Sequence, residues 1–252
     1  MAENSSPSPQ SEGGLGESLR TIIFAVLIAL VIRTFAFEPF NIPSSSMVPT
    51  LLVGDFLFVS KYAYGYSGRG TFWGLPLFQG RVFEENQPQR GDIVVFKWPK
   101  DNSTDYIKRL IGLPGDTVQM KDAILYINGE PVERARLAAP IAESGEQEPA
   151  GVTDYTENLP DGPSHIIRKK GDNEPLDNTS LFTVPSHHYF MMGDNRDNSQ
   201  DSRTENVGYV AEENLVGKAQ LIFFSLGDDT RFWEIWKWPW AVRWDRLFVR
   251  IK

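Results

Sequence analysis

Beyond Glu38 the chain carries no long stretch with helical periodicity; short runs of apolar, β-branched and aromatic residues recur instead between glycines and prolines. Runs of that length form strands, and closely spaced turns join them to their neighbours. The clearest are Phe56-Leu-Phe-Val-Ser60, Asp92-Ile-Val-Val-Phe96, Tyr106-Ile-Lys-Arg-Leu-Ile111, Ile124-Leu-Tyr-Ile127, Tyr189-Phe-Met-Met192 and Gln220-Leu-Ile-Phe-Phe-Ser225. Asn128-Gly129 is a two-residue hairpin signal, because both residues tolerate positive φ. The fold class read from this pattern is mostly β, with antiparallel pairing. At 252 residues the chain is long enough to bury a substantial core.

The N-terminal end reads differently. Residues 1–18 are rich in Ser, Pro, Gly, Gln and Glu and form a disordered tail on composition. Thr21 to Ile32 is an unbroken apolar run, bounded by Arg20 and Arg33 and continued by Thr34-Phe-Ala-Phe37. A helix from Thr21 to Phe37 would be about 25 Å long at ~1.5 Å per residue. That is short of a ~30 Å hydrocarbon core, so Arg33 would have to snorkel or the bilayer thin. No small-x-small site follows, which argues against a cleaved signal peptide. A buried core helix is the bland alternative, but the run is apolar on every face. The expectation is one transmembrane helix over residues 19–37, with 38–252 as the domain that follows. The flanking arginines balance and do not orient it.

Charge bounds the partners. The 25 basic and 33 acidic residues give −8, and a diffuse acidic surface argues against nucleic acid. The absence of cysteine excludes disulfides, thiol catalysis and cysteine zinc sites. Gly129 to Ser180 holds 11 acidic and 5 basic residues. It reads as a weakly packed part of an insertion at about 121–188, away from any chemistry. Residues 231–252 instead hold six basic and two acidic residues and five of the seven tryptophans. Aromatic rings beside basic side chains suit a lipid surface, although the same rings could cover the β domain.

Three segments carry candidate chemistry. In Phe40-Asn-Ile-Pro-Ser-Ser-Ser-Met-Val-Pro-Thr-Leu51, prolines restrain a triple-serine loop from both sides; a capped turn is the plain reading. A serine nucleophile needs a base. His165, His187 and His188 are poorly placed for it and read as surface residues. Lys108 is the other candidate, since strand alternation sets it on one face between Tyr106 and Leu110. Desolvation there would free its amine, whereas most lysines pack their stems and reach water. Gly193-Asp-Asn-Arg-Asp-Asn-Ser-Gln-Asp-Ser-Arg203 is densely polar. As a calcium loop it fails, because Ser202 stands where Gly is needed and Gly208 where a bidentate Glu is needed.

Taken in order, Ser44-x-Ser46-Met47-x-Pro49, Arg90-Gly-Asp-Ile-Val-Val-Phe96, Tyr106-Ile-Lys-Arg109 with Gly112-Leu-Pro-Gly-Asp116, and Gly193 to Arg203 resemble the blocks of bacterial type I signal peptidases. The resemblance spans roughly residues 20–226. It implies a membrane-anchored serine endopeptidase with an antiparallel β catalytic domain and a β-rich insertion. Such an enzyme removes signal peptides from exported preproteins after Ala-x-Ala type residues, without metal or cofactor. By motif position it implies Ser46 as nucleophile and Lys108 as general base. An oxyanion hole would come from Ser44 and the Ser46 N–H, with Ser199 orienting the amine and Asp201 and Arg203 as a supporting pair. Ile42, Met47, Tyr106 and Ile107 are the nearest apolar candidates for substrate contact. The expected setting is a monomer in contact with membrane lipids, a single-pass protein of the bacterial inner membrane with its catalytic domain on the periplasmic side. One span instead of two, the lack of Cys, and Ser45 where Gly is frequent depart from the best-known members. The rival readings are a self-cleaving repressor, which would want a helix-turn-helix at its N-terminus, and a tethered binding module with structural Ser and Lys.

Overall fold

The computed structural model describes residues 15–67, 81–82, 86–142, 150–227, 230 and 233–251. Most of the expected tail, residues 1–14, lies outside them. The N-terminal helix α1 runs from Leu15 to Phe35. Among the described residues, no helix is long and apolar enough to cross a membrane. The helix ends at Phe35 and Phe37 already opens a strand, so from Thr21 it is helical for only about 22 Å against a ~30 Å core. This corrects the expected single-pass anchor over 19–37 and the periplasm-facing inner-membrane localisation that rested on it.

Seventeen strands follow among the described residues. The first six are β1 (Phe37–Asn41), β2 (Asp55–Ser60), β3 (Tyr66–Ser67), β4 (Arg81–Val82), β5 (Ile93–Lys97) and β6 (Asp105–Gly112). Then come β7 (Thr117–Lys121), β8 (Ile124–Ile127), β9 (Glu130–Pro131), β10 (Glu133–Arg136), β11 (Thr153–Asn158), β12 (Ser164–Lys169) and β13 (Phe182–Thr183). The last are β14 (His188–Met192), β15 (Val210–Ala211), β16 (Leu215–Ser225) and β17 (Val249–Arg250).

The main sheet has the order β1-β2-β16-β5-β6-β14-β15, with β17 also on β16. All its pairings are antiparallel. Strand β16 reaches across the middle because its 11 residues serve β2 at one end and β5 at the other. At Gly217 a Cβ would meet the Ser60 carbonyl, so the close approach of β16 to β2 needs glycine there. Asn128 (φ 53°) and Gly129 (φ 85°) make the hairpin between β8 and β9. Apolar side chains fill several clusters, one of which joins Ile42, Met47, Leu51 and Leu57 to Ile93 and Ile222 beneath the serine loop.

Among its described residues, the acidic insertion is not weakly packed. Asp154, Glu157, His165, Arg168, Lys169 and Asp177 are all buried, which requires each charge to find a partner. Arg168 is paired with Asp154 at 2.8 Å, and Lys169 with Asp177 at 2.5 Å and Asp197 at 2.8 Å. Arg196 closes on the Glu157 carboxylate through both terminal nitrogens.

Candidate active site

The serine loop leaves β1 and turns through a 3₁₀ segment over Ser45–Met47. Fully buried Met47 and Leu51, with the Leu51 N–H donating to the Met47 carbonyl at 2.9 Å, pin the turn to the core. Ser46 itself is 7% exposed.

Strand β6 brings Lys108 to it. The Lys108 Nζ donates to Ser46 Oγ at 2.7 Å and to the Ile107 carbonyl at 2.9 Å, and it lies 5.6 Å from the Tyr106 ring centre. Lys108 is 4% exposed. Burial pushes its amine down to about 8, against the opposing pull of Asp201 and Asp194. The next residue, Arg109, is fully buried and forks onto Asp194, with Nε donating at 2.9 Å and Nη2 at 2.8 Å. Thr50 donates to the same carboxylate at 2.5 Å. Burial alone would raise Asp194, but Arg109 holds it below the ordinary carboxylate range.

The loop from Gly193 to Arg203 closes the site from the third side. The Asn195 N–H donates to the Ser46 carbonyl at 3.1 Å and its Nδ2 to the Ser45 carbonyl at 3.0 Å; Asn198 Nδ2 reaches Ser45 Oγ at 2.8 Å. Asp201 and Arg203 form a two-point pair at 2.9 and 2.8 Å, and the Gly193 N–H donates to Asp201 at 3.0 Å. Burial works against the Asp201 charge, yet Arg203 keeps its carboxyl below the ordinary value. Ser199 Oγ is buried beside Gly193, near enough to Asp201 to help hold that carboxyl down, and no bond joins it to the Lys108 amine. Ser44 Oγ stands 3.4 Å from Ser46 Oγ on the exposed side.

A cleft of about 410 Å³ opens over Ser46 and Lys108 between residues 43–46 and 104–108, with Asn198 and Gln200 at its margin. Tyr106 and Ile107 line it. Ile42 and Met47 do not; they are 3% and 0% exposed and belong to the core below. Thr104 and Asp105 are cleft residues that no sequence signal singled out, whereas Asn198 and Gln200 come from the polar 193–203 segment without a role assigned to them there.

The histidines also depart from expectation. His187 is exposed and pairs with Glu212 at 3.1 Å, but His165 is buried rather than superficial. Its ring sits 3.4 Å from Glu157 and 3.9 Å from Asp194, with neither nitrogen hydrogen-bonded. Burial and then Arg109 push it down to about 4, so it stays neutral near pH 7. Among the described residues no cluster of three metal-binding side chains is present.

Comparison with known proteins gives consistent matches. The family described as "Signal peptidase, peptidase S26" matches residues 15–224. The signal peptidase I of Rickettsia typhi is 41% identical, over 93% of each chain. That of Rickettsia conorii is 45% identical over 80% of this chain and 77% of its own. A crystal structure of a signal peptidase I from Enterococcus faecalis V583 is 31% identical, covering 53% of this chain and 97% of that one, with a TM-score of 0.31.

Proposed function

Because the chain belongs to the signal peptidase family, peptidase S26, we propose that Ser46 is its nucleophile and Lys108 its general base. The protein is a serine-type endopeptidase that processes signal peptides, and its substrates are preproteins. The observation that carries the dyad is the 2.7 Å contact between a buried lysine amine and a serine hydroxyl at the floor of an open cleft.

The chemistry follows from which form of Lys108 is present. As an ammonium it donates to Ser46 Oγ; once deprotonated it accepts the Ser46 proton, and Oγ attacks the scissile carbonyl carbon. Negative charge then gathers on the carbonyl oxygen, where the Ser46 N–H and the Ser44 hydroxyl would donate. Losing one such donor typically costs ~10²–10³ in rate. The new ammonium returns its proton to the leaving amine, which departs as the mature protein. Water, deprotonated by the same amine, releases the signal peptide from Ser46 as a carboxylate. Asp201 with Arg203 would hold the loop behind Lys108, and Ser199 would contribute to the amine's setting when substrate is bound. Tyr106 and Ile107, as cleft walls, would limit the cleavage position to small Ala-x-Ala type side chains.

The domain reading is residues 38–252 as one catalytic unit, with an insertion at about 121–188 and a tail at 231–252. The pairing of β1 with β2 and of β17 with β16 supports a single unit. Both members of the dyad come from one chain, which favours a monomer. A lipid surface is the second partner: Trp236, Trp240, Trp244 and Phe248 turn outward, 64–86% exposed. Arg243 and Arg246 turn inward instead, to the Val53 carbonyl at 2.7 Å and to Asp55.

The full chain should cleave a preprotein at a single site. Ser46→Ala and Lys108→Ala should each abolish turnover with unchanged circular dichroism. Cleavage retained by either folded variant would refute the dyad.

A further inference from the structure

The 193–203 loop presents alternate sides to two different elements. Asn195 and Asn198 face the serine loop, as their bonds to the Ser45 and Ser46 backbone and to Ser45 Oγ record. Arg196 and Asp197, between them, face the insertion. There β12 runs parallel to the loop: the Arg168 N–H donates to the Asp194 carbonyl at 2.8 Å and the Arg196 N–H to the Arg168 carbonyl at 2.9 Å. The Asp197 carboxylate accepts from Lys169 Nζ at 2.8 Å and from the Lys170 N–H at 2.7 Å. Lys169 is held from behind by Asp177, and all three side chains are at most 1% exposed. A buried ion cluster of this kind is costly to disturb and has few alternative geometries.

We propose that β11 and β12 are the backstop of the active site, and that Asp197 is a positioning residue through which Lys169 presses the 193–203 loop onto Ser45 and Ser46. This rests on the dyad reading above. The acidic insertion thereby acts on the reaction without touching substrate. Releasing the loop lets the serine turn drift from Lys108 and lets water reach the amine.

The test uses the full chain and two matched variants. Asp197→Ala and Asp177→Ala each remove one carboxylate and leave Lys169 with one partner, so they disturb the cluster's charge equally. Only the first removes a side-chain link to the loop, leaving its backbone bonds to Arg168 and the Arg196–Glu157 pair in place. Asp197→Ala is expected to lower kcat at least about tenfold with KM within about twofold, as loss of alignment does. Its acid limb in the kcat–pH profile should also shift to higher pH, because a hydrated lysine holds its proton more tightly. Asp177→Ala should keep kcat within about twofold of wild type at a similar loss of Tm. Should Asp197→Ala fail to fold, Asp197→Asn and Asp177→Asn carry the same comparison. Equal kcat in the two variants beside an active wild type overturns the positioning role alone. Cleavage by Ser46→Ala would instead overturn the dyad reading beneath it.

Discussion

Lowering the pH from 7 to 4.5 should destabilise the folded chain mainly through one side chain, His165. The imidazole is buried, lacks hydrogen bonds on both nitrogens, and is pushed from 6.5 down to about 4 by burial and then by Arg109. The unfolded chain has no such constraint, so below about 6.5 it binds a proton that the folded chain refuses. Stability is therefore lost as pH falls from the unfolded value through the folded one, and the loss levels off below about 4. At pH 4.5 the difference amounts to roughly 2–3 kcal/mol, a large share of a typical folding free energy. The depressed carboxyls of Asp194, Glu157 and Asp201 also give up stability on acidification, but at lower pH, since their folded values lie below the ordinary carboxylate range. The assay is urea unfolding of wild type and His165→Gln at pH 7 and at 4.5. Wild type should lose roughly 2–3 kcal/mol more than the variant between the two conditions. Equal losses would refute the reasoning, because the glutamine cannot titrate.

Three further outcomes follow from the geometry. The kcat of the full chain should rise with pH through an apparent pKa of about 8, the value to which burial brings Lys108; an acid limb near 10.5, the unperturbed lysine value, would place the base elsewhere. Gly193→Ala would set a Cβ against Ser199 and 2.5 Å from the Ser46 carbonyl, so activity should fall at least about tenfold, and unaltered turnover would show that the loop has slack. Replacing Trp236 and Trp240 by Ser should weaken association with anionic vesicles; undiminished binding would move the lipid contact to another surface.

What could be read before the structure was the strand pattern, because β-branched and aromatic runs between turns are a local signal. The strand expected at Ile124–Ile127 occupies those residues, and that expected at Tyr106–Ile111 lies within Asp105–Gly112. Partnership between distant charges was not legible. Glu157, Arg168 and Lys169 look like surface residues in sequence, since the partners that admit them to the interior stand up to 39 positions away. His165 reads as a surface residue in sequence, yet it lies buried and without hydrogen bonds beside Glu157 and Asp194, a neighbourhood no local pattern announces. Ser46 and Lys108 meet across 62 positions, and spacing alone could not pair them; only the resemblance of whole blocks did. Ile42 and Met47 are close to Ser46 in sequence but point away from it, because a tight turn sends successive side chains in different directions. The helix was legible and its end was not: it stops at Phe35 because Phe37 is taken into the pairing of β1 with β2, a partner that local sequence does not show.

Strand β6 sets two cations side by side, Lys108 opposite Val94 and Arg109 opposite Ile93 of β5. One lies against a neutral hydroxyl and can shed its proton; the other is forked onto a carboxylate and has no reason to. Which is which depends only on the parity of the strand. A slip of one residue would turn every side chain of β6 to the opposite face and send a guanidinium, which cannot serve as a base, toward Ser46. The connection between β5 and β6 can therefore vary in length over the course of descent only where the register survives, and a single-residue insertion or deletion within either strand should be rarer among working relatives than almost any substitution there.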